Sequence, residues 1–240
     1  MKKKILAVVV AAIIGATAWT VTHRKKFLYA GTVEATDVDL SPQLSAVIST
    51  VTVHEGDPVK KDQILVELAG EDVRLAYQIA ESDFKRAAKL RASGSMPEET
   101  YERLRFKRDD AAVRMNWLTI KSPLDGTVLN RYREPGELVN PSMKLLTVAN
   151  LDDVYAYVYV PQPMLAKLSL GMKLEGFLPE LDMKAIPGVI TTIRDEAEFT
   201  PKNVQTREER TRLVYGVKVS FENKDHLLKP GMTVEVKLPQ

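Results

Sequence analysis

The chain contains no cysteine, which excludes disulfide scaffolds, zinc ribbons, thiol nucleophiles and cysteine-anchored lipoproteins. Histidine is nearly as scarce: His23, His54 and His226 lie in three separate regions, so a metal site or triad built on them would need the fold to gather them. Neither sign of charge is in excess. In 240 residues, 34 Lys and Arg face 32 Asp and Glu, whereas a dedicated nucleic-acid binder carries a basic face. No Gly-rich phosphate loop occurs, so the chain is not expected to hydrolyse ATP. The acidic pairs Asp152-Asp153 and Glu208-Glu209 fall in expected loops and read as solvated charges rather than an acid/base couple. No catalytic, cofactor-binding or metal-binding constellation is expected. What remains is ordinary globular composition, 45% hydrophobic and 28% charged, enough for one or two domains with cores of their own.

One long uncharged run is present. Met1-Lys-Lys-Lys4 precedes Ile5 to Val21, seventeen residues without a charge, and His23-Arg-Lys-Lys26 follows. As a helix the run rises about 25 Å, marginal against the roughly 30 Å hydrocarbon core of a bilayer. It reads either as a cleaved signal peptide, with Ala16-Thr-Ala18 as the cleavage site, or as an uncleaved anchor with Trp19 at the interface. Both readings carry the rest of the chain across a membrane.

The second feature is an internal repeat. Ser45-Ala-Val-Ile48, His54-Glu-Gly-Asp-Pro-Val59 and Ile64-Leu-Val-Glu-Leu68 form one unit; Asp125-Gly-Thr-Val128, Glu134-Pro-Gly-Glu-Leu-Val139 and Lys144-Leu-Leu-Thr-Val148 form the other. At a constant offset of 80, Ile48 meets Val128, Gly56 meets Gly136, Asp57 meets Glu137 and Val59 meets Val139. Each unit reads as short β-branched runs around a glycine turn, with Gly56 and Gly136 at positions needing positive φ. Neither can bury its apolar face alone, so the two are expected to pack as a small β-sandwich.

Between the halves the pattern is helical. Glu71 to Arg91 carries apolar residues at Val73, Ala76, Ala80, Phe84, Ala87 and Leu90. Glu98 to Leu118 has Tyr101, Leu104, Ala111, Met115 and Leu118 in a seam interrupted by Arg108. Ser93-Gly-Ser-Met-Pro97 supplies the turn, with Pro97 suited to the first turn of the second helix. Two helices of equal length return the chain to its starting point, and the resulting antiparallel coiled-coil hairpin projects about 31 Å. Residues 71–118 hold ten basic and nine acidic side chains, which suits a solvated hairpin rather than a nucleic-acid-binding one.

After Asn150 the strands lengthen. Val154–Val160, Val189–Arg194, Leu213–Phe221 and Thr233–Leu238 alternate with period two, Met164–Leu170 reads as a short helix ending at Gly171, and Glu196–Arg212 reads as a long loop. The predicted end piece is a small antiparallel β-barrel. The expected order is membrane segment (1–26), N-terminal strand or membrane-proximal segment (27–40), half-unit (41–70), hairpin (71–118), half-unit (119–150) and barrel (151–240).

That order resembles the periplasmic adaptor subunits, or membrane fusion proteins of the HlyD type. The resemblance is carried by Gly31-Thr-Val-Glu-Ala35, Ile120-Lys-Ser-Pro-Leu-Asp-Gly-Thr-Val128, Leu228-Lys-Pro-Gly-Met232 (with Gly231 at a turn) and the barrel stretch Ala197 to Tyr215. The last looks like the branch associated with ABC exporters. The resemblance implies a split lipoyl-like sandwich whose lysine-bearing loop is replaced by the hairpin. It implies a periplasmic protein attached to the inner membrane, a homo-oligomeric ring, an inner-membrane exporter of ABC rather than proton-driven type, and a TolC-like outer-membrane channel. It implies no chemistry of the protein's own, no cofactor and no nucleic acid. The family's tip pattern for contacting the channel is Arg, then Leu, then Ser. Arg86 and Leu90 match it, Ser95 lies in the turn, and Pro97 stands where the family has Ser, removing a helix-capping hydroxyl. The hairpin is short for the family.

Three rival readings remain: a swinging-arm carrier, disfavoured because no lysine is presented between the halves; a metal-efflux adaptor using Met and His; and an envelope spacer without a transport partner. Exposed apolar side chains such as Tyr101 and Phe106 suit copy-to-copy contacts or the helical seam.

Overall fold

The computed structural model describes residues 28–199 and 213–239. The membrane segment expected at residues 1–26 lies outside them, as does most of the loop expected at Glu196–Arg212. Among the described residues no helix is long and apolar enough to cross a membrane. The chain forms two compact units. One comprises residues 34–154 with 223–229, the other residues up to 33 with 155–222 and 230 onward. The molecule is mainly β, with one helical hairpin.

In the first unit the repeat becomes a sandwich of interlocked halves. Half one contributes β2 (Ala46–Val51), β3 (Pro58–Val59) and β4 (Ile64–Leu68); half two contributes β6 (Gly126–Arg131), β7 (Leu138–Val139) and the start of β8 (Leu146–Pro161). β2 pairs with β4 and β6 with β8, each with one register shift at the same place, between Ile48 and Thr50 and between Val128 and Asn130. The halves also exchange strands: β2 pairs with β7 of the other half, and β3 with β6. The cross-links repeat atom for atom at the offset seen in the sequence. Gly56 N–H donates to Val128 O at 2.8 Å and Val128 N–H to Asp57 O at 3.0 Å, while Gly136 N–H donates to Ile48 O and Ile48 N–H to Glu137 O, both at 2.9 Å. A single core of Ile48, Val59, Leu65, Leu68, Val128, Val139, Leu145 and Val148 seals both halves.

The stretch Ile120 to Val128 works as a staple between the halves. Ser122 is buried, accepts the Asp62 N–H at 2.8 Å and donates its own N–H to Gln63 O at 2.9 Å. The Asp125 carboxylate accepts the Lys61 N–H at 2.9 Å. A Cβ on Gly126 would sit 2.3 Å from Ala149 O, so no other residue fits there without backbone movement.

The hairpin consists of α1 (Glu71–Ala92) and α2 (Glu98–Asn116), and β5 (Thr119–Lys121) returns the chain to β4. Leu68 N–H to Leu118 O at 2.8 Å and Ala69 N–H to Val47 O at 2.8 Å fix the hairpin's base to the sandwich.

The second unit is a closed ring of strands. The start of β1 (Tyr29–Leu40) pairs with β12 (Thr233–Lys237), then follow β9 (Lys173–Leu178), β10 (Lys184–Phe199), β11 (Leu213–Glu222) and β8, which meets β1 again. Closure removes free sheet edges. Phe221 fills the interior because Gly176 and Gly188 leave room: a Cβ at either would approach its ring within 2.7 Å.

Several expectations need correction. β8 runs from Leu146 to Pro161, and Asp152-Asp153 belong to this strand rather than a loop. The short helix α3 spans Gln162–Leu165, a single turn that starts earlier than Met164. β10 extends to Phe199 in register with Leu213, so Glu196–Phe199 is strand, not loop. β9 and the first part of β10 went unforeseen because Gly176 and Pro187 interrupt their alternation.

Candidate functional site

The hairpin's free end is built by a helix stop and a restart. Gly94, at φ +69°, ends α1. Ser95 N–H reaches back to Leu90 O and Gly94 N–H to Arg91 O, both at 2.9 Å, the paired bonds of a Schellman stop. The Ser93 hydroxyl donates to Leu90 O at 2.9 Å, occupying a carbonyl at the helix end. α2 restarts with Pro97 as its extended N-cap, without a side-chain cap hydrogen bond. Pro97 therefore precedes the first turn instead of lying within it. Glu98 and Glu99 offset the missing cap electrostatically at the positive end of the helix dipole, and Arg91 bridges the turn to Glu98 at 2.8 Å.

The four expected tip residues are all exposed. Arg86 pairs with Asp83 one turn back and lies one turn from Leu90, which is 47% exposed. Ser95 and Pro97 belong to the turn itself. Arg86 and Leu90 share one face of α1, four residues apart.

The seam differs in detail from the expected one. Ala80, Ala87 and Ala111 are its buried members, with Tyr77, Phe84, Tyr101 and Leu104 partly covered beside them. Ala76, Leu90 and Met115, expected in the seam, face solvent. The interruption at Arg108 is real and has a purpose. Its guanidinium lies 4.2 Å from the Phe84 ring centroid and 3.7 Å from Glu81, so the arginine covers an aromatic ring while pairing across the helices. Phe84 and Tyr101 meet at 5.5 Å, and Arg91 covers the Tyr101 ring at 4.1 Å. Tyr101 is thus seam, whereas Phe106 is 73% exposed.

Sequence reasoning missed the outer face. Leu75 and Ile79, four residues apart on α1, are 56% and 51% exposed, and Val113 on α2 is similarly bare. A signal existed: Leu75 and Ile79 are spaced as helical neighbours but fall off the seam positions. Beside them a shallow groove runs along α1 between Tyr77, Glu81, Ser82, Lys85, Arg86 and Lys89. These apolar side chains stand among charges of both signs, and the hairpin's exposed ion pairs contribute little stability each.

The turn glycines sit in left-handed backbone, Gly56 at φ +89°, Gly136 at +93° and Gly231 at +94°. Gly231 donates to Val33 O at 2.8 Å within the barrel unit. In the sandwich, the Glu134 N–H and the Arg133 guanidinium hold the Glu137 carboxyl below its usual range. Asp39 is lowered by hydrogen bonds from Lys144 and from the Thr147 hydroxyl, which lies at 2.6 Å, and Lys144 is raised in return. Among the described residues, no group of three or more His, Cys, Asp or Glu is placed to hold a metal ion.

Comparison with known proteins agrees with this architecture. Residues 36–150, which take in the sandwich and its hairpin, match the model of the CzcB-like barrel-sandwich hybrid domain. The chain is 42% identical over 118 residues to the "UPF0194 membrane protein in asrC 5'region" of Acidithiobacillus ferridurans, an alignment covering 49% of this chain and 35% of that protein. The match thus spans about a third of the length of that curated relative. Among solved structures, a MacA-MexA chimeric protein containing the Pseudomonas aeruginosa MexA alpha-hairpin domain superposes with a TM-score of 0.71 at 21% identity, covering 90% of this chain and 81% of the chimera. MacA from Actinobacillus actinomycetemcomitans gives 0.64 at 19%, covering 90% and 79%. These likenesses carry the fold.

Proposed function

We propose that the chain is a periplasmic adaptor of a bacterial efflux or secretion system, anchored to the inner membrane through residues 1–26. It links an inner-membrane exporter, of ABC rather than proton-driven type, to an outer-membrane channel of the TolC kind. It acts by assembling into a ring and passing on conformational change, without chemistry of its own. The observation that carries this reading is the hairpin: a rigid projection held at its base by both strands and core, with Leu75, Ile79, Phe106 and Val113 unburied along its length. A lone chain gains nothing from such a face, whereas neighbouring hairpins covering one another's apolar side chains could enclose a conduit. The ABC assignment rests on the barrel stretch Ala197 to Tyr215. The likeness to MacA and to the membrane-protein relatives supports the adaptor reading.

The missing cysteines make the test direct. A single Ser95→Cys at the tip, crosslinked in intact cells, is expected to capture an outer-membrane channel together with other copies of the chain. Capture of copies alone would remove the channel from the scheme; capture of neither, with the variant folded and exported, would remove the conduit.

A further inference from the structure

Strand directions gather one set of features at a single end of the barrel. Tyr29, at the start of β1, pairs with Val236, and Lys237 at the end of β12 pairs with Glu175 near the start of β9. The turn Ala166–Met172, which follows α3, caps this same end: Gly171 N–H donates to Ile190 O at 2.8 Å and Ile190 N–H to Met172 O at 2.9 Å. β11 also starts here, and α3 packs on it. At this end Leu170 is 67% exposed and Leu213 is 55% exposed, and Lys167 is exposed in the same turn as Leu170. Leu181 and Met183 at the opposite end are less exposed.

The chain itself indicates what covers this end. Leu28 enters the barrel here, and only Thr22 to Phe27 separate it from the uncharged run Ile5–Val21. That link spans at most about 25 Å fully extended. It contains His23-Arg-Lys-Lys26, which adds positive charge to that of Lys167. Of the acidic residues near this end, Glu175 is paired with Lys237 at 3.7 Å and Glu198 with Arg194, while Asp195 and Glu196 belong to β10 rather than to the turn.

We propose that this end of the barrel rests on the bilayer, with Leu170 and Leu213 entering the boundary between headgroups and acyl chains and Lys167 meeting lipid phosphates. Apolar side chains beside lysine are the ordinary make-up of an interfacial contact. The inference depends on the membrane attachment in the proposed function. It goes further in making the barrel, not only the N-terminal segment, a lipid-binding element.

The test uses the full chain reconstituted into vesicles of phosphatidylethanolamine and phosphatidylglycerol. A polarity-sensitive fluorophore is placed on Leu170→Cys, on Leu213→Cys and, as an exposed leucine of the other unit, on Leu138→Cys. The expected result is blue-shifted emission and several-fold weaker quenching by aqueous iodide at 170 and 213, with 138 fully quenched. Lys167→Glu should weaken the shielding at 170, more so as phosphatidylglycerol is increased. A chain that floats with vesicles while its 170 and 213 probes stay accessible to iodide overturns the contact and leaves the attachment intact. A chain that does not float overturns the attachment itself. Equal shielding at 138, or shielding that appears only when an exporter is co-reconstituted, also overturns the lipid contact, the second outcome in favour of a protein partner.

Discussion

The two halves of the sandwich share a backbone and differ in their side chains. Register, bulge, strand exchange and turn bonds coincide at an offset of 80, down to Asp62 and Ser142 with φ of +65° and +76°. His54 N–H donates to the Asp57 carboxylate at 2.7 Å and Glu134 N–H to the Glu137 carboxylate at 2.9 Å. The polar trimmings diverge. Where half one uses the Lys61 N–H to reach Asp125, half two has Pro141, which has no donor, opposite Ser45. Only half two has the chain of Tyr132, Thr147, Asp39 and Lys144, in which the Tyr132 hydroxyl lies 3.2 Å from Thr147. The difference teaches that turn geometry and core leucines specify this fold, and that exposed polar contacts are free to vary.

If that is correct, matched substitutions in the two halves should have matched effects where core and turns are concerned. The largest effect is expected at the core pair. Leu65→Ala and Leu145→Ala, both fully buried, should each lower unfolding stability by about 3 kcal/mol in urea titrations. A cost confined to one half would show that the halves do not share a single cooperative core. A smaller, paired effect is expected at the turns. A Cβ at Gly56 or Gly136 meets nothing within 4 Å, so each Gly→Ala change should cost only the left-handed conformation, about 1–2 kcal/mol. Unequal shifts in the urea midpoint would show that one turn relaxes and the other does not.

The smallest effect should be the asymmetric one. Asp39 and Glu137 have folded pKa values below their unfolded ones. Their contribution is therefore present above the ordinary carboxylate range and lost as pH falls through the lowered values. Lys144 has a raised pKa, so its contribution holds below the usual lysine range and is lost as pH rises through the raised value. Asp39→Asn should flatten part of the acid-side fall in urea midpoint and also the alkaline-side fall that depends on Lys144. Glu137→Gln should flatten the acid side alone. Two identical pH profiles would contradict the separate origins of these shifts.

Much of the fold is legible in the sequence. The repeat announced the sandwich, though not the exchange of strands between its halves, because each half places Gly, acid and apolar residues where the same turn and core require them. The hairpin was legible because two helical stretches of similar length flank Ser93-Gly-Ser-Met-Pro97. The division of its residues between seam and surface was not legible, since Leu90 and Leu104 look alike until the partner helix is in place. Phe106 and Ile79 illustrate the same limit: an apolar residue on a helix states its preference, and the neighbouring helix decides whether that preference is met. Strand β9 and the first part of β10 were hidden by Gly176 and Pro187, residues usually depleted from strand interiors. Gly176 is there to make room for Phe221. The tip residues Arg86, Leu90, Ser95 and Pro97 stand at positions that the family resemblance flags and whose exposure only the folded chain reveals.

The exchange of strands between halves also constrains how the chain can fold in time. β2 has its partner β7 roughly ninety residues downstream, so half one emerges during synthesis without the strand that completes it. The hairpin contains mostly local contacts and can form first. By folding, it shortens the effective loop between the halves to the width of its own base, which removes most of the entropy cost of bringing them together. Besides projecting a surface, the hairpin would then act as the guide that delivers the second half to the first, and weakening it should slow folding of the sandwich even where the hairpin touches none of the sandwich core.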